Sequence, residues 1–450
     1  MAAKQCHIMM FPWLAFGHML PFLEFSKKLA GKGIRVSFVS TPKNIQRLPS
    51  IPPHLVHQIE LVEIPLPSVE GLPENCEATV DVQLEQIQYL KKACDELHAP
   101  FEKLLHTDKP DLILAYTAAT LGYLGPPAEL KSCSRRTRHE HFAVPPDWFT
   151  FPSLVAATAI LCTNSSSEIC TVLTDLACQV DKGWLEFWKA VNLLQCEAVK
   201  SLKGEYLNLL EELYQRPVLP IGLLPPNLVE NKTLNTVHSQ WSTTFKWLDK
   251  QKLKSVVFVG FGSEYKMPIE EVHEMAIGLE LSNLPFIWIL RKPEGIDSLA
   301  LLPPGFLTRI SDRAMVNLGW APQLEILAHP AIGGCLFHSG WGSIIESLGF
   351  GHPLILMPMV ADQGLNAKLL MEKGMGYEVP RNEDGSFSRD MVSKSIRLVM
   401  GEQEGEPFRL KAAQMQTVFA NHELHDNYIN KFIQYLGNFK KAESDVHGRD

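Results

Sequence analysis

The densest run of chemically useful side chains lies at positions 320–363, WAPQLEILAHPAIGGCLFHSGWGSIIESLGFGHPLILMPMVADQ. At its centre the turn His338-Ser339-Gly340-Trp341-Gly342-Ser343 stands where an apolar strand pattern (334–337) hands over to a helical one. The N–H groups that open a helix lack partners within it, and the positive end of the helix dipole adds to them. Such a turn therefore favours a phosphate. Gly340 and Gly342 permit close backbone approach, while His338 and Ser343 add side-chain donors. Trp320 offers a flat face to a base. Glu346, one turn into the helix, can accept from ribose hydroxyls, and Asp362 and Gln363 can hold sugar hydroxyls at the next strand end. A lone Gly-rich turn is weak evidence, whereas a series that suits base, ribose, diphosphate and sugar in order is strong.

The whole stretch resembles the nucleotide-sugar box of the plant secondary-product UDP-glycosyltransferases, and further family features recur from Phe11 to about Leu436. The resemblance implies an α/β chain of the GT-B type, with two facing Rossmann-like domains built on parallel sheets. It implies that Trp320 stacks on uracil, that Ala321 meets the base edge through its backbone, and that Gln323 and Glu346 hold the ribose. His338, Gly340, Trp341 and Ser343 would surround the diphosphate, with Ser263 nearby, and Asp362 and Gln363 would bind the donor sugar. One departure matters. The family usually has Asn where Gly342 stands, and losing that amide removes a contact worth about 1 kcal/mol. Ser339, where the family usually has Cys, is expected to be harmless.

Positioning these residues takes two domains, and 450 residues suffice for their cores. A hydrophobic content of 46% with 20% charged residues describes an ordinary globular protein. A net charge of −8 argues against a nucleic-acid partner or an anionic membrane surface. The nine Cys form no CxxC pair, so neither a zinc site nor a disulfide framework is expected. The apolar start, 8–16, is too short to span a membrane and contains Pro12, so it reads as a strand. Cytoplasmic residence and a monomer are the expectations, with no prosthetic group, no metal and no membrane insertion.

Residues 6–11 read as a buried strand, 12–18 as a loop, 19–30 as a helix ending at Gly31 and Gly33, and 34–40 as the next strand. That order means parallel strands with sites at their carboxyl ends. His18 occupies such an end. In the family the matching His is the general base, a task that suits an imidazole neutral near pH 7. Trp13 and Phe16 suit an acceptor pocket or core packing equally. The Pro-rich loops 40–49 and 65–73, around a strand at 57–65, resemble the branch that adds sugars to glycosides, which includes UDP-rhamnose rhamnosyltransferases. Residues 84–105 read as one amphipathic helix.

Beyond the strand 111–114 the pattern breaks. In the family this strand ends in an Asp that orients the catalytic His, and a helix and a strand follow. Here Leu114 runs into Ala115-Tyr116-Thr117, and no carboxylate appears before Glu129. A parallel crossover needs about a dozen residues. The inference is that a helix, a strand and the Asp are missing; the alternative is that Tyr116 or Thr117 takes the Asp's place. Residues 131–141 read as a basic solvated loop, 145–152 resemble the loop before the family's acceptor-side helices, 155–194 read as helical, and 196–199 as a strand.

The reading divides the chain into an acceptor-binding domain (1–226), a linker (227–250), a UDP-sugar domain (251–437) and a loose tail (438–450). In the third part, 255–261, 286–290, 314–318 and 377–380 read as strands, and 269–282, 365–373, 389–400 and 406–436 as helices. The last of these braces the N-terminal domain in the family. Gly260-Phe261-Gly262 followed by Tyr265 is not GxGxxG, which counts against a Rossmann dehydrogenase. Two readings remain. One is an inverting glycosyltransferase that moves glucose or rhamnose from UDP to a small glycoside or a phenolic or terpenoid acceptor. The other is a UDP-sugar-binding homologue with impaired catalysis.

Overall fold

Strand β1 (His7–Phe11) is apolar and buried along its whole length, as a strand covered on both faces must be. The computed structural model describes residues 5–115, 194–196, 199–214, 217–226, 234–292, 301–360 and 362–447. These fall into two compact units. One is built from 5–115, the described pieces between 194 and 224, and 422–447; the other from the described residues between 225 and 421. Among the described residues no helix is long and apolar enough to cross a membrane.

In the first unit β1 is followed by α1 (Phe16–Ala30), β2 (Arg35–Ser40), α2 (Pro42–Arg47), β3 (Ile59–Glu63), α3 (Ile87–Asp95), α4 (His98–Asp108) and β4 (Leu112–Ala115). All pairings are parallel, in the order β3-β2-β1-β4. A separate parallel pair, β5 (Leu194–Cys196) and β6 (Val218–Pro220), flanks α5 (Lys200–Tyr214) in sequence. The final helix of the chain, here α14 (His422–His447), belongs to this unit. Its Ile429, Phe432 and Leu436 join Ile8, Met10, Phe25 and Phe38 in one core, and Asp426 pairs with Lys28 at 2.8 Å.

The second unit runs α6 (Leu234–Leu248), β7 (Val256–Gly260), α7 (Ile269–Ser282), β8 (Phe286–Leu290), α8 (Phe306–Arg309), β9 (Ala314–Leu318) and α9 (Gln323–Leu327). It continues with β10 (Ile332–Phe337), α10 (Trp341–Gly349), β11 (Leu354–Leu356), α11 (Gln363–Glu372), β12 (Gly376–Glu378), α12 (Arg389–Met400) and α13 (Glu406–Phe419). Its six parallel strands stand in the order β12-β11-β10-β7-β8-β9. The chain steps outward from β7 to β9, then returns to the other side of β7 with β10. The two neighbours β7 and β10 thus mark the point where the winding reverses, and ligands of such sheets bind at the carboxyl ends of strands there.

Several expectations change in detail. The helix expected over 84–105 is two helices, because Pro100 has no N–H for the Glu96 carbonyl and its ring would strike it. The expected linker 227–250 contains α6. The helix expected over 406–436 is broken after Phe419, and the two halves serve different units. The expected loose tail continues α14 as far as His447. The strand expected at 196–199 lies earlier, as β5. The helix, strand and Asp expected to be missing after Leu114 fall on a stretch that, from 116 on, lies outside the described residues, as do the segments 131–141 and 145–152 and nearly all of 155–194.

Candidate active site

The carboxyl ends of β7 and β10 bring two turns together. From β7 the chain enters Gly262-Ser263; from β10 it enters His338 and α10. The His338 ring lies between two glycines: a Cβ on Gly262 would stand 2.8 Å from the ring, and one on Gly340 would stand 2.4 Å from Nε2. Gly262 also has φ +69°, which side chains disfavour. Burial outweighs the pull of the Asp362 charge and pushes the His338 pKa down to about 4. The imidazole is therefore neutral at pH 7, and its one N–H is engaged with the Gly260 backbone. α10 begins at the Gly340 cap without a side-chain cap and without an acidic residue in its first turn. Its first internal bond is Ile344 N–H to the Gly340 carbonyl at 3.0 Å, so the N–H groups of Gly342 and Ser343 precede the ladder. Ser339 enters this turn with φ 65°, wholly buried.

Beside this cradle Gln323, on α9, donates through Nε2 to Glu346 Oε2 at 2.5 Å. Burial pushes the Glu346 pKa up to about 7, against the opposing pull of the Gln323 amide. Trp320 is 69% exposed, an unusual position for an indole. The Arg291 guanidinium lies 4.1 Å from the Trp320 ring centroid, a cation–π distance that fixes one face of the ring. Arg291 also reaches the Gly262 carbonyl at 3.4 Å through Nε. Sequence reasoning missed this residue, whose only signal is its place directly after a buried strand.

The two sugar-end residues behave differently. Asp362 is exposed, and Asn366 Nδ2, one turn later, donates to its Oδ2 at 3.1 Å and to the Ser339 carbonyl at 3.2 Å. Asn366 was also overlooked, although it is four residues from an Asp at a helix start. Gln363 is only 4% exposed. Its Oε1 accepts from the N–H groups of Met359 and Val360 at 2.9 and 3.0 Å, which leaves the amide Nε2 as the group with donors to offer. Ala321, after β9, and Trp341 and Ser343, after β10, are half-buried, and Gly342 is exposed with nothing within 4 Å of where its Cβ would stand.

His18 lies in the first unit, in the opening turn of α1, half-buried and directly beyond the carboxyl end of β1. That unit winds from β1 to β3 on one side and places β4 on the other, with Phe11 opposite Ala115. His18 therefore stands at the first sheet's own reversal point. Trp13 packs against the cluster of Met9, Phe11 and Phe101. Phe16 packs against the other core and carries Arg47 over its ring at 5.1 Å.

The family model described as UDP-glucoronosyl and UDP-glucosyl transferase matches residues 145–403. Among curated relatives, UDP-glycosyltransferase 91C1 of Arabidopsis thaliana is 40% identical, with 96% of each chain covered. UDP-glycosyltransferase 91D1 of Stevia rebaudiana is 40% identical over 99% of this chain and 95% of its own. Soyasaponin III rhamnosyltransferase of Glycine max is 37% identical over 97% and 96%. Among solved structures, Glycyrrhiza uralensis UGT73P12 complexed with glycyrrhetinic acid 3-O-monoglucuronide superposes with a TM-score of 0.75 at 20% identity. It covers 99% of this chain and 98% of that one, a likeness of fold. With a matching family model, full-length relatives and the GT-B architecture in agreement, the chain belongs to the plant UDP-glycosyltransferases, in the branch of the 91-series enzymes.

Proposed function

We propose that this UDP-glycosyltransferase transfers glucose or rhamnose from UDP to a hydroxyl of a small glycoside, with inversion at the anomeric carbon. The observation that carries the donor half is the neutral His338 clamped beside the uncapped start of α10, at the reversal point of the sheet. A glycoside as acceptor is supported by the names of two relatives: the soyasaponin rhamnosyltransferase and the β-D-glucosyl crocetin β-1,6-glucosyltransferase of Gardenia jasminoides, the latter 34% identical. The second name states an acceptor that already bears a glucosyl group.

In this reading an acceptor hydroxyl gives its proton to the His18 imidazole, and its oxygen forms a bond to the anomeric carbon. The bond from that carbon to the diphosphate oxygen breaks, and its electron pair leaves on UDP. The N–H groups at the start of α10 and the Ser343 hydroxyl stabilise the developing charge, with the uncharged His338 ring packed beside them. Trp320 stacks on uracil, the Ala321 backbone meets its edge, and Glu346 with Gln323 holds the ribose. Ser263, Gly340 and Trp341 line the diphosphate, and Asp362 with the Gln363 amide holds the sugar.

A second reading, a donor-binding homologue with impaired transfer, is favoured by one specific observation. The alignments with the two Stevia rebaudiana relatives run over 475 and 482 positions, more than the 450 residues of this chain. Both relatives therefore carry residues with no counterpart here, as a lost crossover would produce. Titration with UDP and UDP-glucose, paired with a UDP-release assay across glycoside acceptors, separates the readings. A transferase binds and turns over, and His18→Ala removes about 100-fold or more of its rate while leaving UDP affinity unchanged. Binding without release supports the second reading. Indifference to UDP and its sugars at millimolar concentration would refute both.

A further inference from the structure

The turn that carries His18 is gripped by two contacts from distant segments, and both trace back to one carboxylate. Helix α1 opens at Ala15 without a side-chain cap. On one side the Thr79 N–H donates to the Leu14 carbonyl at 3.0 Å, and Leu14 is wholly buried. On the other, the guanidinium of Arg47, the last residue of α2, lies 5.1 Å from the Phe16 ring centroid. Asp81 serves both contacts. Its Oδ2 accepts from the N–H groups of Glu77 and Ala78 at 3.0 Å each, closing the turn that presents the Thr79 N–H. Its two oxygens accept from Arg47 Nη1 and Nη2 at 2.8 and 2.9 Å, a two-pronged pairing that fixes the guanidinium plane. Asn44, wholly buried, accepts from Arg47 Nη2 at 2.6 Å and donates to the Glu77 carbonyl at 2.7 Å. Burial works against the charge on Asp81, yet the hydrogen bonds from Arg47 and Glu77 hold its carboxyl below the usual range. Losing one partner of such a pair strands the other, so the set has one favourable arrangement.

We propose that Asp81 is a positioning residue for the base: through Arg47 on Phe16, and through Thr79 on Leu14, it fixes the turn that carries His18. The proposal rests on the reading of His18 as the base given above. Asp81 does not act on the substrates; it acts on the backbone from Leu14 to the first turn of α1.

Two variants test it. Asp81→Asn keeps the shape and removes the charge and one acceptor, loosening both arms. Arg47→Lys keeps the charge but cannot grip both carboxylate oxygens, and it loosens one arm. Amide hydrogen exchange of the ligand-free proteins over 12–19 is read beside UDP titration and turnover of UDP-glucose with 4-nitrophenyl β-D-glucoside. In Asp81→Asn exchange over 12–19, a segment that does not contain the substitution, is expected to quicken about threefold or more. Its kcat should fall about tenfold, while UDP affinity moves by less than about twofold. Arg47→Lys should lower kcat about threefold, and the double variant should be no slower than Asp81→Asn alone, because the two share a path. Unchanged exchange over 12–19, or a loss of kcat matched by an equal loss of UDP affinity, overturns the proposal. Faster exchange with kcat undiminished also overturns it when His18→Ala abolishes turnover. When His18→Ala leaves the rate unmoved, faster exchange supports the tether and the base reading falls instead. In a protein that binds UDP without turnover, exchange over 12–19 decides the tether by itself.

Discussion

The two units wind their sheets in the same sense and reverse in the same place, yet their reversal points are furnished differently. In the second unit both flanks of the point are built: the turn after β7 supplies Gly262 and Ser263, the turn after β10 supplies His338 and the start of α10, and the two turns meet at the His338 ring. In the first unit one flank is built, by the loop from β1 to His18. The other flank is β4, whose described residues run to Ala115 opposite Phe11. A transferase needs both halves, but unequally. In the proposed reaction the donor is held at one sheet's strand ends, whereas the base stands at the other's. On the function proposed above, donor affinity belongs to the strand ends of the second unit and proton removal to His18 in the first, so affinity for the donor and rate of transfer should respond to separate changes.

That contrast can be broken most forcefully by a graft that tests the second reading. Grafting the helix and Asp-ending strand of a full-length relative between Leu114 and Tyr116 is expected to raise turnover roughly 10³-fold, the scale on which an orienting carboxylate acts on a catalytic His. UDP affinity should stay unchanged in titration. An unaltered rate would show that Tyr116 or Thr117 already serves the base. Next in size is Trp320→Ala, which should weaken UDP about 10- to 100-fold, as loss of a base-stacking ring does. Quenching of the exposed indole's fluorescence by UDP in the parent protein would report the same contact directly.

The Glu346 carboxyl gives a pH signature confined to the donor side. Ribose hydroxyls donate to the ionised form, and the free pKa is about 7. At pH 8 the group is already ionised, whereas at pH 6 its proton must first be removed. Affinity for UDP-glucose should therefore fall about tenfold from pH 8 to pH 6, and Glu346→Gln should flatten the profile. His338, down at about 4, stays neutral across that window and adds nothing to it. The smallest expected change is a gain. Gly342→Asn places the family's usual amide in open space, and one added hydrogen bond of about 1 kcal/mol should tighten UDP-glucose roughly fivefold.

How much of this was legible in advance depends on how local the cause is. The order of strands and helices follows from apolar periodicity, and a turn that joins a strand to a helix start announces an anion site from its residues alone, so the run 320–363 was readable as a donor box. The breaks were harder. Pro100 was in plain view, but a helix expectation built on apolar spacing overrode it. The end of α13 and the transfer of α14 to the first unit depend on contacts with Phe25 and Ile8, some 400 positions away, and no window of sequence contains them.

By itself the sequence determined the parallel α/β class, through periodicity, the family, through resemblance of the run 320–363, and the chemical character of the proposed donor site, through residues adjacent along the chain. Only the tertiary structure decided that His338 is caged by Gly262 and neutral. Likewise it alone placed Gln363 with its oxygen turned into the Met359 loop, Arg291 on the face of Trp320, and Arg381 on the Pro358 carbonyl. Each of those facts is a matter of burial or of a contact between distant segments, and burial sets both the charge of an imidazole and the free donors of an amide.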